Sequence, residues 1–445
     1  MKIKKVVKRS GDIVDFTPER ITNAIYRAAV SVGGRDRGLA EKLSEQVVST
    51  LEEKTPENHI PTIEEIQDIV EKVLIENGHA KVAKAYILYR DERARRREIR
   101  ASRACHPSTN IPWAKIWHVL NWSIEHGVST ISGLNKRILN EEFPDLVQET
   151  EIMYNQDVEN AAESIRTHQD DLKLVIITGP SSSGKTTTTI KIGQRLKRMG
   201  YNLVTLNVDN YFYDLELHPK DEFGDYDFET PQALDIELIN KHLVHLFEGK
   251  EVTIPYYDFK AGKQIPNHTP MQLDPGDIIM IDSLHGLYPA MTRDIPRENK
   301  FTVYLEPLLQ IKDSENKYVR WTDIRLIRRM LRDASYRAYD PRRTLGHWHY
   351  VRSSELRHII PNISKADYII NTGLPYELPI YRSRMFETFK DWVEDYRDNP
   401  IRKDAFLRAS RVFELLNQVL PIDDESSVPP DSVLREFIGG SSYEY

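Results

Sequence analysis

The chain has 445 residues, with 61 basic and 68 acidic side chains and a formal net charge of −7, a balance that points to no nucleic-acid partner. Cys105, the one cysteine, excludes an intrachain disulfide and any multi-cysteine metal site. No apolar run approaches the roughly 20 residues that span a bilayer, and no apolar core follows the charged N-terminal residues as in a signal sequence, so a soluble, cytoplasmic protein of about three domains is expected, with no membrane partner.

In chain order, residues 1–100 read as a unit of their own. Ile3 to Phe16 predicts a short hairpin turning at Arg9-Ser10-Gly11-Asp12. Thr17-Pro18 supplies an N-cap and a first-turn proline for a helix whose buried stripe is Ile21, Ala24, Ile25 and Ala28. A second helix is predicted over Leu39 to Leu51. Thr62-Ile63-Glu64-Glu65 forms a capping box that opens a third, with Ile66, Ile69, Val70 and Val73 inward. Gly78 ends it, and a fourth runs from Ala80 to Arg100, where Arg93 to Arg100 reads as a solvated helix end. Residues 101–170 predict a helical connector, with an aromatic-rich helix over Ile116 to Trp122 and an exposed one over Val158 to His168.

From residue 171 onward apolar strands alternate with helices. Strands are predicted at Leu174 to Ile177, Leu203 to Val208, Ile278 to Ile281, Phe301 to Leu305 and Tyr368 to Ile370, and helices at Leu234 to Phe247 and Thr322 to Arg337. The expected fold is α/β, a parallel sheet with helices on both faces over 171–445, preceded by a small, mostly helical unit with a β-hairpin.

The richest stretch is Gly179-Pro180-Ser181-Ser182-Ser183-Gly184-Lys185-Thr186, a complete G-x-x-x-x-G-K-T between a strand and a helix. In such a P-loop the backbone N–H groups of Gly179, Ser181, Ser182, Ser183, Gly184 and the residues through Thr187 cradle phosphate oxygens, Lys185 reaches the β/γ-phosphates, and Thr186 offers a hydroxyl to Mg²⁺. The two glycines permit backbone turns that a Cβ obstructs. The sequence therefore predicts a site for a nucleoside triphosphate, with ATP and Mg²⁺ as the expected cofactors.

Two resemblances extend this reading. Val7-Lys8-Arg9-Ser10-Gly11, Phe16, Arg20-Ile21, Ala24-Ile25, Ile66 to Glu71 and Ala85 to Arg90 resemble the ATP-cone domain, a regulatory ATP/dATP sensor known from ribonucleotide reductases and their repressor. The resemblance implies an allosteric nucleotide site at Lys8, Arg9 and Arg20, an ATP or dATP effector and a homo-oligomer. On the residues alone, Lys8 and Arg9 read rather as solvated edge charges that discourage strand pairing, and the resemblance reverses that reading.

Val204 to Tyr213, Tyr226 to Asp235, Ile254 to Phe259, Ile278 to Ser283 and Arg325 to Asp333 together resemble the uridine kinase and phosphoribulokinase family of P-loop kinases. The end of the chain, Ser432 to Ser441, resembles bacterial nucleoside-kinase-like members. The resemblance implies phosphoryl transfer from ATP to a hydroxyl of a small-molecule acceptor. Asp209 then takes the proton of the attacking hydroxyl or helps hold Mg²⁺, and Asp282 stands where a Walker-B acid serves the metal, followed by Ser283 where the family has glycine. Arg332 and Arg337, with Arg329, Arg342 and Arg343 as further candidates, match an arginine-bearing lid that closes on developing charge. Glu229 falls at a ribose-binding carboxylate, and Tyr257 and Phe259 at an aromatic base-binding segment, although Tyr257 reads equally as core. Gly262 stands where that segment carries a base-contacting histidine. The acceptor is thus expected to be a nucleoside, uridine-like. A sugar, sugar phosphate or small hydroxy acid is the alternative, and a non-catalytic nucleotide sensor a second.

Overall fold

The computed structural model describes residues 3–7, 13–30, 32–34, 36–56, 59–87, 110–168, 171–218, 229–336, 340–397 and 402–444. The described residues fall into two units, one ending at residue 87 and one beginning at residue 110. No helix among them is long and apolar enough to cross a membrane.

In the first unit β1 (Lys5–Val7) and β2 (Ile13–Asp15) form an antiparallel hairpin, Val6 opposite Val14. Four helices follow: α1 (Glu19–Val30), α2 (Arg37–Lys54), α3 (Ile63–Glu76) and α4 (residues 80–87). The capping box is present. Glu65 N–H donates to Thr62 Oγ1 at 3.2 Å and Thr62 N–H to Glu65 Oε2 at 2.7 Å, which holds the Glu65 carboxyl below its ordinary range. Ile21, Ile25, Ala28, Leu43, Val47, Val70, Val73 and Leu74 make one core. The end of β1 lies beside the start of α3, with Val7 N–H donating to Pro61 O at 3.0 Å.

The second unit opens with α5 (Trp113–Glu125), α6 (Ile131–Leu139) and α7 (Phe143–Arg166). Its α7 is not the exposed helix that the sequence suggests. Leu146, Tyr154, Val158, Ala161 and Ala162 are fully buried, in one core with Val175, Ile177, Ile192 and Leu196. The stripe was hard to read because polar residues interrupt it. Thr150 Oγ1 donates back to Leu146 O, and Tyr154 Oη bonds Thr188 Oγ1 at 2.8 Å, so both are buried without an unmet polar group.

The remaining elements are β3 (Leu174–Thr178), α8 (Lys185–Arg198), β4 (Asn202–Asn207), α9 (Ile236–Phe247), β5 (Val252–Asp258), β6 (Lys263–Met271), β7 (Asp277–Ser283), β8 (Lys300–Glu306), α10 (Trp321–Tyr336), α11 (Pro341–Ser354), β9 (Tyr368–Asn371), α12 (Glu377–Tyr396), α13 (Lys403–Asn417) and α14 (Arg435–Ile438). Five parallel strands lie in the order β4-β7-β3-β8-β9, while β5 and β6 form a separate antiparallel hairpin. Chain direction across the sheet reverses at β3, so the loop leaving its carboxyl end opens at the topological switch point where α/β sheets bind ligands.

Candidate functional site: a phosphate loop between two strand-tip acids

The loop from Gly179 to Gly184 has the backbone of a phosphate nest. Ser182 has φ 58° and Gly184, the N-cap of α8, φ 87°. A Cβ on Gly179 would stand 2.4 Å from Leu305 O, and one on Gly184 2.4 Å from Val433 Cγ2, so both positions exclude a larger residue. Lys185 Nζ curls back to Gly179 O at 3.1 Å and Pro180 O at 3.3 Å. Ser181, Ser182, Ser183 and Thr187 are buried, and Thr186 half-buried. The outer wall of the loop is clamped: Thr372 Oγ1 donates to Ser183 O at 2.6 Å, Arg325 Nη1 to Ser181 O at 3.2 Å, and Arg329 Nη1 to Ser181 Oγ at 2.9 Å.

Strand register brings the two acids to this loop. Asp282 pairs with Ile177 on one side and Asn207 on the other, so it stands one residue from the end of β7, beside the strand that feeds the loop. Asp209 follows the tip of β4 in a 3₁₀ turn, its N–H capped by Asn207 Oδ1 at 3.0 Å. Burial pushes the Asp282 carboxyl up to about 6, and Glu436 and Asp209 push it the same way, while Lys185 and Arg332 oppose. Burial likewise lowers Lys185, against the pull of Asp282. Lys185, Asp209, Asp282, Arg332 and Glu436 therefore share one electrostatic field.

Among the described residues, no group of three or more His, Cys, Asp or Glu is placed to hold an ion by itself. A hydroxyl and a carboxylate beside a phosphate nest nonetheless fit Mg²⁺, which takes one or two carboxylates and completes its shell with water and phosphate oxygens. Thr186 and Asp282 are the residues that would hold it.

An arginine-rich helix usually presents a solvated face, yet Arg325 and Arg328 on α10 are 0% exposed. Arg325 pairs with Glu306 at 3.0 Å and Glu355 at 2.5 Å, and Arg328 with Glu377 at 2.8 Å. Arg332 reaches the site, 3.7 Å from Glu436 Oε1. Arg337 lies outside the described residues. Arg342 pairs with Asp395 at 2.7 Å and lies over the Tyr396 ring, and Arg343 is exposed at the start of α11.

Of the residues expected to meet the acceptor, Glu229 is bound by Arg329 Nη1 at 2.9 Å, the same nitrogen that holds Ser181 Oγ. Tyr257 is 2% exposed against Phe212, His218 and Phe259, and its hydroxyl finds no hydrogen-bond partner among the described residues. Phe259 is 63% exposed. Gly262 occupies the β5–β6 turn at φ 64°, where an added Cβ would meet Leu215 Cβ at 3.0 Å. The turn thus explains why glycine, not histidine, stands there. The sequence reading missed His285, which follows Asp282 by three residues. It is 3% exposed, and burial drives its imidazole down to about 3, helped by His358 and Lys185. Its place in Ser283-Leu284-His285-Gly286, directly beyond the strand-tip acid, was the available signal. Glu436 was missed as well.

In the first unit, Arg20 is exposed in the first turn of α1. Lys8 and Arg9 lie outside the described residues.

Comparison with known proteins agrees with both units. Uridine kinase-like protein 5 from Arabidopsis thaliana is 28% identical over 198 residues, 44% of this chain and 38% of that protein. A uridine kinase from Deinococcus deserti is 29% identical over 199 residues, 44% of this chain and 86% of that protein. The vitamin B12-dependent ribonucleoside-diphosphate reductase of Thermoplasma acidophilum is 45% identical over 101 residues, 22% of this chain and 13% of that protein. The chain thus spans less than half the length of the first and third relatives. Residues 4–95 match the ATP cone domain, and residues 174–377 match the Phosphoribulokinase / Uridine kinase family. The chain joins an ATP cone domain to a phosphoribulokinase/uridine kinase family domain.

Proposed function

We propose that the protein is an ATP-dependent small-molecule kinase that phosphorylates a hydroxyl of a nucleoside, uridine-like, under allosteric control by ATP or dATP at the N-terminal unit. The observation that carries this reading is the convergence of Asp209 and Asp282, on neighbouring strand tips, with Lys185 at one phosphate nest. The nest holds the donor's phosphates, and Lys185 neutralises charge at the β/γ-phosphates. Asp209 accepts the proton of the attacking hydroxyl, and Arg332 faces charge developing on the transferred group. Thr186 and Asp282 would hold Mg²⁺, which would supply further neutralisation of the donor's phosphate charge. Tyr257 and Phe259 offer aromatic faces to a base and Glu229 a carboxylate to a vicinal diol.

Purified full-length protein with ATP and Mg²⁺ is expected to release ADP with one or more members of a nucleoside panel and not with the rest. ADP release with no nucleoside, but with a sugar, sugar phosphate or hydroxy acid, replaces this acceptor class. That second reading is favoured by Gly262 and by the engagement of Glu229 with Arg329. A biological output that survives Asp209→Asn points instead to a nucleotide sensor. The same proposal has the enzyme act in the cytoplasm as a homo-oligomer. Its ATP/dATP control is tested with a shortened protein beginning at residue 109, which is expected to keep turnover and lose the response to dATP. A retained response refutes control through the N-terminal unit.

A further inference from the structure

The first turn of α8 already holds an anion, and it belongs to the chain itself. Glu436 on α14 is 3% exposed, and its Oε2 accepts from Thr187 N–H at 3.2 Å and from Thr187 Oγ1 at 2.9 Å. Thr187 follows the Lys185-Thr186 pair, where a P-loop helix turns its free N–H groups toward the α- and β-phosphates of a bound nucleotide. The carboxylate thus stands where a phosphate oxygen is expected, and its other oxygen faces Arg332 at 3.7 Å. The placement is built rather than incidental. Val433 fills the space over Gly184, and Tyr376 Oη bonds Ser432 Oγ at 2.9 Å. Arg435 donates to Glu425 O and Val428 O at 2.8 Å each, and Arg328 lies over the Phe437 ring.

We propose that Glu436 is an internal competitor for the donor's phosphate and so determines how tightly the phosphate loop binds a nucleotide. Because the surrounding tail residues Ser432, Val433, Leu434 and Phe437 are fully buried, the nucleotide displaces the Glu436 side chain and not the tail. Two negative groups cannot share the Thr187 donors in a partly dry site, so binding requires the carboxylate to swing away. That swing also separates Glu436 from Arg332, leaving the guanidinium to the phosphates. Donor binding and the arming of Arg332 become one event.

This inference rests on the phosphate loop being the donor site and is tested without any acceptor. Full-length wild-type, Glu436→Gln and Glu436→Asp proteins are titrated calorimetrically with ATP and ADP, Lys185→Ala protein reporting nucleotide bound elsewhere. Gln removes the charge at nearly constant shape, and Asp withdraws it by one methylene. Each is expected to tighten nucleotide binding at the loop about tenfold, a change of about 1.4 kcal/mol. Asp431→Asn, which breaks the 2.8 Å pair with Lys191 in the same tail, should leave affinity unchanged. Unchanged or weaker binding in both Glu436 variants overturns the proposal and assigns Glu436 to holding the tail against α8. If they bind tighter while no compound in the acceptor panel is phosphorylated, the competitor stands and the kinase reading falls. Turnover with unaltered affinity gives the reverse. Nucleotide binding absent from every protein overturns both.

Discussion

On the donor side of the site, every wall of the phosphate loop is tied down. Arg325 and Arg329 from α10 hold Ser181, Thr372 from beyond β9 holds Ser183, and Glu436 from the tail holds Thr187. The clamps rest on buried ion pairs, Arg325 with Glu306 and Glu355, and Arg328 with Glu377. On the acceptor side a two-stranded hairpin presents Phe259 largely to solvent, with Tyr257 behind it and a glycine turn where a base contact was expected. Phosphate chemistry tolerates little misplacement and is given a wall of paired charges. On the proposed reading, acceptor choice falls to a few aromatic surfaces on a hairpin outside the main sheet.

Substitutions on the two sides should therefore fail differently. Lys185→Ala is expected to lower kcat/KM about a thousandfold, as loss of a charge aimed at the transferred phosphate does. Its melting temperature should stay within a few degrees of wild type; a change below tenfold would remove Lys185 from the transition state. Asp209→Asn should lower kcat about a hundredfold or more with ATP affinity nearly unchanged, since a general base acts after binding. If the loss vanishes at high Mg²⁺, Asp209 holds the metal instead. Arg325→Met leaves Glu306 buried without its cation and Glu355 with Arg352 alone, and should cost about 3–5 kcal/mol in denaturant unfolding. A loss below about 1 kcal/mol would show that the clamp contributes little beyond packing.

What the sequence made readable follows the same division. The nest, both acids and the alternation into a parallel sheet were legible because each depends on short-range order, a glycine spacing or an apolar run ending in a carboxylate. The β5–β6 turn was legible only as a missing histidine; its reason, a positive φ against Leu215, needed coordinates. Partnerships across the chain were invisible. Glu436 meets Thr187 across 249 positions, and no local pattern joins them. The burial of Arg325 and Arg328 could not be read from the sequence because their carboxylate partners come from β8, α12 and the segment after α11. The buried face of α7 was hidden for a related reason, its threonine and tyrosine being satisfied by Leu146 O and Thr188.

One buried carboxyl on the donor side offers a subtler contrast. Glu151 is 5% exposed beneath the tail, and burial raises its carboxyl above the ordinary range despite bonds from Ser432 and Tyr376. Because the folded state holds this proton more tightly than the unfolded state, its contribution to stability is complete below the unfolded value, about 4.3, and is lost as pH rises through the folded one. Glu151→Gln keeps a neutral group there at every pH. The variant should match wild type in melting temperature near pH 4 and exceed it increasingly toward pH 8. Parallel curves would mean that Glu151 is ionised at no cost.

The smallest effect is expected where the acceptor side is most open. Phe259 is 63% exposed and touches Tyr257 and Phe212 edge-on, so truncating it removes little buried area. Phe259→Ala should change stability by less than about 0.5 kcal/mol. If its ring stacks on a base, the variant should raise the acceptor's KM about threefold to tenfold, the range of one aromatic contact. The KM for ATP should not move, because the ring packs on Tyr257 and Phe212. The selectivity pattern across the acceptor panel separates the two acceptor classes. A flat rise for every nucleoside, with none for a sugar or hydroxy acid, marks Phe259 as a surface for bases. An equal rise for acceptors with and without a base makes it a support for Tyr257, and moves the search for acceptor selectivity to Glu229 and His285 beside the loop.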